Sequence, residues 1–167
     1  MRIGHGMDVH RLVEDRDLVL CGITIPHERG LLGHSDADVA THALMDALLG
    51  AAALGDIGAH FPDTEEMYRG ARSLDLLQLV MKKLREAGFA PVNVDVTLVA
   101  QRPKLRPYIA EMRQSLANVM ALPLPKVSVK ATTTEHLGFE GKEEGITAHA
   151  VCLLGEIEVY ERCAITG

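Results

Sequence analysis

Two histidines and several carboxylates are placed where they could hold a metal. In Asp8-Val9-His10 the first and third side chains share one face of a strand, because side chains alternate there. His42 lies in a run of Ala and Leu, in register with Asp38 and Asp46 at four-residue intervals. One Asp and two His suit Zn2+ or another divalent cation. Three protein ligands leave one position open, as in catalytic zinc sites. No local spacing rule joins His42 to the strand pair, and a lone helical His is more often an ordinary hydrogen-bonded residue.

Three further clusters each have a plain reading beside the chemical one. In Gly33-His34-Ser35-Asp36-Ala37-Asp38 a hydroxyl and free amides at a helix start could bind an anion. The same Ser35-x-x-Asp38 spacing is a capping box that needs no ligand. In Gly55-Asp56-Ile57-Gly58 and Phe61-Pro62-Asp63, Asp56 and Asp63 could accept hydrogen bonds from substrate hydroxyls, or serve only as turn residues. In Lys130-Ala131-Thr132-Thr133-Thr134-Glu135, three hydroxyls and a carboxylate could hold phosphate oxygens and a Mg2+, or merely carry a strand into a turn. Ala100-Gln101-Arg102-Pro103-Lys104-Leu105 ends another strand. A pocket between the two strand ends is therefore one reading, and a simple strand-to-helix connection the other.

The elements that must position these groups follow from pattern. Residues 2–12 and 18–25 read as strands joined by the polar stretch 14–17. A helix capped at Ser35 runs to Leu54 and stops at Gly55. Residues 55–70 read as a loop. An amphipathic helix over 73–87 carries Leu74, Leu77, Val80, Met81 and Leu84 on one stripe. A strand at 92–100, a helix at 105–121, a strand at 127–132, a loop from 135 to 145 and a strand at 146–159 complete the chain. The order predicts an α+β two-layer domain, a mixed β-sheet with helices on one face. One domain over 1–157 and a C-terminal extension at 158–167 are expected.

Bulk properties narrow the function. At 167 residues and 47% hydrophobic, the chain can bury a core. The net charge of −6 argues against nucleic acid as a partner, and 4% aromatic residues with no Trp leave little to stack on bases. A polyanionic substrate would need positive charge supplied within its own site. Cys21, Cys152 and Cys163 form no CxxC pair, which reads as reduced thiols in a cytoplasmic protein. The most apolar stretch, 47–54, is too short for a membrane span.

The motifs Gly4-His5-Gly6-Met7-Asp8-Val9-His10, Leu32 to Ala40, His42-Ala43-Leu44, Gly55 to Gly58, Phe61 to Thr64, Asn93 to Thr97, Val129 to Glu135 and Leu137-Gly138-Phe139 occur in that order. Over about residues 1–155 the chain closely resembles the 2-C-methyl-D-erythritol 2,4-cyclodiphosphate synthases of the non-mevalonate isoprenoid pathway. The resemblance implies conversion of 4-diphosphocytidyl-2-C-methyl-D-erythritol 2-phosphate to the cyclic diphosphate and CMP. The substrate's 2-phosphate attacks the β-phosphorus, so no side-chain nucleophile is needed.

By the same resemblance Asp8, His10 and His42 are metal ligands, with Zn2+ as the ion. Glu135 holds a Mg2+ or Mn2+ that bridges substrate phosphates. His34 and Thr133 stabilise the transition state, and Ser35 lies in the phosphate pocket with Asp8 and His10. Asp56, Ile57, Gly58, Phe61, Pro62 and Asp63 contact the methylerythritol part. Ala100, Pro103, Lys104, Leu105, Arg106, Ala131, Thr132, Thr133 and Thr134 form the cytidine-phosphate pocket. Asp46 supports the metal site. Phe139 is a further substrate-binding residue, and Lys142 lies at the central cavity of a homotrimer whose active sites lie between subunits. Lys142 stands where many relatives have Arg, and Met7 where Phe is common. A zinc-dependent phosphoesterase and a non-catalytic cytidine-nucleotide-binding regulator are the rival readings.

Overall fold

A computed structural model describes residues 1–62, 65, 68 and 70–157. Its frame is a five-stranded mixed sheet. The strands are β1 (Arg2–Glu14), β4 (Arg29–Leu31), β5 (Phe89–Val99), β6 (Val127–Thr132) and β7 (Gly145–Glu156), in the order β4-β1-β7-β5-β6. Only β5 and β6 run parallel; every other neighbouring pair in this sheet is antiparallel. A separate hairpin joins β2 (Leu18–Leu20) to β3 (Ile23–Ile25). The helices are α1 (Val39–Ala51), α2 (Ile57–His60), α3 (Ser73–Glu86), α4 (Ile109–Met120) and α5 (Gly138–Gly141). The expected α+β architecture is present, with α1 laid on β1 and β7, α3 beside α1, and α4 against β6.

The position of α1 is set by missing side chains. Even-numbered residues of β1 face the helix, and two of them are Gly4 and Gly6. A Cβ on Gly4 would lie 1.9 Å from the Ala47 carbonyl oxygen, and one on Gly6 2.0 Å from that of Ala43. Helix and strand therefore meet backbone to backbone. Nearly every side chain of α1 is buried, which fits a helix that is apolar on all sides. On α3, Leu74, Leu77, Val80, Met81 and Leu84 are all buried, as the stripe predicts. The odd-numbered side chains of β1 face the other way. Ile3 (76% exposed), Met7 (53%) and Val9 (45%), with Val151 (44%) on β7, lie open on the uncovered side of the sheet.

Several local expectations are corrected. Residues 18–25 are not one strand: Cys21 and Gly22 take left-handed φ values of 52° and 74°, and the chain folds back. The polar stretch 14–17 does not join two paired strands. The partner of β1 there is β4, which the sequence pattern missed. The cap of α1 is Asp38, not Ser35, and the helix ends at Ala51. The Asp38 carboxylate takes the Thr41 N–H at 3.1 Å, together with those of Cys21 at 2.9 Å and Gly22 at 2.7 Å. It thus closes the hairpin turn and starts the helix at once, which a three-residue capping rule does not anticipate. The loop regions 55–70 and 135–145 contain α2 and α5, and the 105–121 helix is a 3-10 turn (Arg106–Tyr108) followed by α4. The last strand ends at Glu156. The 158–167 extension, with Cys163, lies outside the described residues.

Gly6→Ala pushes a methyl into the backbone of α1. It is expected to cost ~3 kcal/mol or more, at or above the upper end of ordinary overpacking, lowering Tm by roughly 6–12 °C in a domain of this size. Gly50→Ala is the control, since a Cβ there meets nothing within 4 Å. It is expected to raise stability by about 0.5–1 kcal/mol through helix propensity. Thermal melts of the two variants check both.

Candidate functional site

The close approach of α1 to β1 carries His42 to the D-x-H pair. Asp8 and His10 continue the even-numbered stripe of β1 beyond the two glycines. Asp8 Oδ2 lies 2.9 Å from His10 Nε2 and 3.1 Å from His42 Nδ1, and those two nitrogens are 3.2 Å apart. Zn2+ with ligands at 2.0–2.1 Å in tetrahedral geometry separates them by about 3.3 Å, so the triangle is close to metal-ready. These three residues form a group able to hold a metal ion among the described residues. His10 Nδ1 lies 2.7 Å from the Leu32 carbonyl oxygen, to which it can only donate. Its Nε2 then turns a lone pair into the triangle when the ring is neutral. Carboxylate oxygen and imidazole nitrogen are the donor set that Zn2+ accepts, so the residues fit the ion.

The electrostatics of the metal-free group are those of a caged proton. Burial works to raise the Asp8 carboxyl, but hydrogen bonds from His10 and His42 outweigh it and hold the group well below the usual carboxylate range. Burial works to lower His10, and the hydrogen bond and charge of Asp8 outweigh it, leaving its pKa raised.

A cleft of about 580 Å3 opens beside this group. His10, Gly33, His34, Ser35, His42, Ile57, Gly58, Phe61 and Pro62 line it, together with Met45, Tyr68 and Leu76, which sequence reading missed. Met45 lies three residues from His42 on the same helix, a spacing that could have found it. His34 is exposed and Ser35 buried. The His34–Asp36 segment is pinned to the start of α3 by Gly70 N–H to the His34 carbonyl at 2.9 Å and Asp36 N–H to the Ala71 carbonyl at 3.1 Å. From the other side, Arg16 donates to the carbonyls of Gly33 at 3.2 Å and Ser35 at 3.1 Å.

The carboxylates near this cleft also have local partners. The Asp46 Oδ1 takes the Ile57 N–H at 2.8 Å and fixes the α2 loop, rather than hydrogen-bonding a metal-facing side chain. What His42 Nε2 meets instead is Ser35 Oγ at 3.1 Å and Ser73 Oγ at 3.0 Å. The Asp56 carboxylate caps α2, accepting from Ala59 N–H at 2.9 Å. Asp63 lies outside the described residues.

The Thr/Glu cluster builds a second cleft, of about 300 Å3, at the ends of β5 and β6. Ala100, Pro103, Lys104, Leu105, Arg106, Ala131, Thr132 and Thr133 line it, along with Gln101 and Ile109. The register Val99↔Thr132 of the parallel pair brings the two strand ends together, as expected. The Thr133 hydroxyl donates to Glu135 Oε1 at 2.6 Å, and Thr134 Oγ1 donates to the Leu137 carbonyl. Phe139 is partly exposed and covers Gly145. Lys142 lines neither cleft; it sits by Arg11 and Arg29 in a third depression. The two main clefts share no lining residue.

A partly buried Asp/His/His metal group beside one cleft, and a hydroxyl-rich second cleft with Lys104 and Arg106, define a class: an α+β protein equipped for metal-assisted chemistry on a phosphorylated ligand. Comparison with known proteins gives the family. The profile of the YgbB family matches residues 1–155, and the chain belongs to that family. It is 64% identical over 155 residues to the 2-C-methyl-D-erythritol 2,4-cyclodiphosphate synthase of Desulfitobacterium hafniense, covering 92% of this chain and 98% of the relative. It is also similar to a solved 2C-methyl-D-erythritol-2,4-cyclodiphosphate synthase in a CDP-bound form. The TM-score there is 0.85 and the identity 43%, over 92% of this chain and 100% of the other. The bifunctional IspDF of Campylobacter jejuni matches at TM-score 0.91 and 43% identity over 94% of this chain, which spans 42% of that longer protein.

Metal must displace the proton that Asp8 holds on His10. Zinc affinity is therefore expected to fall as pH drops through His10's raised pKa, with the fall beginning above pH 6.5, the ordinary imidazole value. The metal-free protein should show the opposite slope. The stability it draws from charged His10 is fully present below pH 6.5 and is lost as pH rises through the raised value. Chelator competition and apo-protein melts across pH 5.5–8.5 check both slopes.

Proposed function

We propose that the chain closes 4-diphosphocytidyl-2-C-methyl-D-erythritol 2-phosphate into 2-C-methyl-D-erythritol 2,4-cyclodiphosphate with release of CMP. This is a step in isoprenoid precursor synthesis by the non-mevalonate pathway. The observation that carries the reading is the Asp8–His10–His42 triangle on the wall of a substrate-sized cleft, in a chain that matches the family over 1–155. A 2-phosphate oxygen bonds to the β-phosphorus as the bond to the oxygen bridging α and β breaks, and CMP departs with that oxygen. No side chain needs to become covalent. Phosphoryl transfer asks mostly for alignment and for charge stabilisation, and these residues supply both.

A divalent ion at Asp8, His10 and His42, Zn2+ in this reading, supplies Lewis-acid polarisation of phosphate oxygens. Ile57, Gly58, Phe61 and Pro62 pack the methylerythritol carbons, with Asp56 and Asp63 at the same loop. His34 and the Ser35 hydroxyl donate to phosphate oxygens. Ala100, Pro103, Lys104, Leu105, Arg106 and Ala131 to Thr134 hold the cytidine and its phosphates. Glu135 accepts the Mg2+ or Mn2+ that arrives with the diphosphate. In the free protein the Thr133 hydroxyl is committed to Glu135. With a divalent ion held at Glu135, the Thr133 hydroxyl would be free to donate to a phosphoryl oxygen, so the two residues would act together.

One substrate must reach both clefts, yet they share no residue. The reading places the metal cleft of one subunit against the nucleotide cleft of the next in a homotrimer. The open sheet face with Ile3, Met7, Val9 and Val151 forms its centre, and Phe139 and Lys142 border the axial cavity. Apolar side chains gathered on one uncovered sheet face support this, because such a face is costly in water. The reading also places the protein in the cytoplasm as one domain over 1–157. No described helix is long and apolar enough to cross a membrane. Burial pushes the Cys152 thiol up to about 11, the behaviour of an unreactive core cysteine.

A 31P NMR assay with the cytidyl substrate and Mg2+ tests the reaction. Cyclic diphosphate and CMP that vanish with chelator are the expected result. Linear phosphate products would show a phosphoesterase instead, and nucleotide binding without turnover a regulator. In the same assay Glu135→Gln is expected to need at least about tenfold more Mg2+ or Mn2+ for half-maximal rate, by analogy with lost metal-site partners. An unchanged metal titration removes Glu135 from that role. Light scattering is expected to give the mass of three chains.

A further inference from the structure

Glu135 sits in a turn that its residue types disfavour. The Leu137 N–H donates to the Thr134 carbonyl at 3.0 Å and closes a β-turn around Glu135 and His136. Both central residues are left-handed, with φ of 52° and 65°. A turn with positive φ at both centres is type I′, whose preferred central pair is Asn-Gly. Here both positions carry a Cβ, which that backbone conformation crowds. Residues held in this way persist only where their surroundings impose it, and they gather at functional sites.

Two neighbours impose it here. On one side α5 packs against the turn. A Cβ on Gly141 would lie 2.2 Å from the His136 carbonyl carbon, so the two backbones touch. On the other side Gln101 Oε1 accepts the His136 N–H at 3.2 Å. A backbone N–H only donates, so the acceptor is the amide oxygen and the Gln101 side chain has one orientation. The bonds between Thr134 and Leu137 tie the ends of the turn and leave its centre free. Gln101 belongs to the 100–106 wall of the second cleft, and the turn follows its 131–133 wall. Their contact joins the two walls just beyond the last ladder bond, from Ala100 N–H to the Thr132 carbonyl at 3.0 Å.

What the turn presents is the Glu135 carboxylate. It is exposed, and its Oε1 takes the Thr133 hydroxyl at 2.6 Å. Carboxylate and hydroxyl are hard oxygen donors of the kind that Mg2+ takes along with phosphate oxygens, so the residues fit that ion. We infer that Gln101 is a positioning residue: it locks the Thr134–Leu137 turn and thereby fixes where the Glu135 carboxylate stands beside Thr133. The inference rests on the reading of Glu135 as a cation ligand at a nucleotide cleft. It explains why a left-handed pair without glycine is kept at this point of the chain.

The test uses the full chain labelled with 15N. Amide exchange with solvent reads the His136 N–H. Calorimetric titration with CDP, over a series of Mg2+ concentrations and in chelator, reads the cleft. Gln101→Met keeps the length of the side chain and removes the acceptor. Its His136 amide is expected to exchange faster, and the Mg2+ concentration that half-saturates the tightening of CDP binding to rise on the order of tenfold. His136→Gly supplies the residue that the second centre of a type I′ turn prefers. In Gln101→Met/His136→Gly the Mg2+ requirement is expected to return to that of His136→Gly alone, a coupling that a double-mutant cycle measures. Gln101→Asn, which draws the acceptor back by one methylene, carries the test if Gln101→Met does not fold. The lock is overturned if the Mg2+ titration of the Gln101 variant matches wild type. It is overturned equally if CDP binding weakens as much in chelator as in Mg2+, or if glycine at 136 restores nothing, because Gln101 would then act on the nucleotide directly. Wild type that binds CDP no more tightly with Mg2+ would instead overturn the cation reading of Glu135 and the inference with it, a failure seen before any variant is made.

Discussion

The contact on which the rest depends is the backbone approach of α1 to β1 at Gly4 and Gly6. A strand advances about 6.7 Å in two residues and a helix 5.4 Å in one turn, so the two stay in step over a few turns. Along the even stripe of β1 the glycines meet Ala47 and Ala43. Next on the same stripe come Asp8 and His10, and the helix meets them with His42. Small residues at one end of the contact thus set the spacing of ligands at the other. A helix pushed outward by a single methyl would move His42 away from the other two corners of the triangle.

The alternation of β1 and the stripe of α3 were legible in the sequence because each is a periodic signal. So was the pairing of the strand ends at Thr132 and Ala100. What was not legible depends on contacts between distant segments. Asp38 was read as part of a capping box with Ser35. Its carboxylate also collects amides from a hairpin seventeen residues away, and that choice starts the helix at Val39. Segment 33–37 is thereby left irregular, free to line the cleft. Asp46 looked like support for His42 from its place four residues on. The structure sets it on the Ile57 amide, and what His42 meets on that side are the hydroxyls of Ser35 and of Ser73 on another helix. No spacing rule connects residues 36, 42 and 73; only the packing of α3 against α1 does.

The site is divided in a way that follows from the topology. Metal ligands come from β1 and α1, near one edge of the sheet. The Thr-rich cleft comes from β5 and β6, at the other edge, with β7 between. Each half has its own internal hydrogen bonds, Asp8 with the two histidines and Thr133 with Glu135, so each is satisfied before any ligand arrives. Binding must then exchange bonds rather than fill open valences.

The residues of β1 between Gly4 and His10 divide between two faces of the sheet. The even positions answer to the helix and the metal, the odd ones to whatever covers the sheet. The even positions therefore have no neutral sites through which a lineage could drift. The β2–β3 hairpin is held both through its main-chain amides at Cys21 and Gly22 and by the buried side chains of Leu18, Leu20 and Ile25. Its exposed residue, Thr24, faces solvent, so related chains would vary in the hairpin there rather than along its buried side.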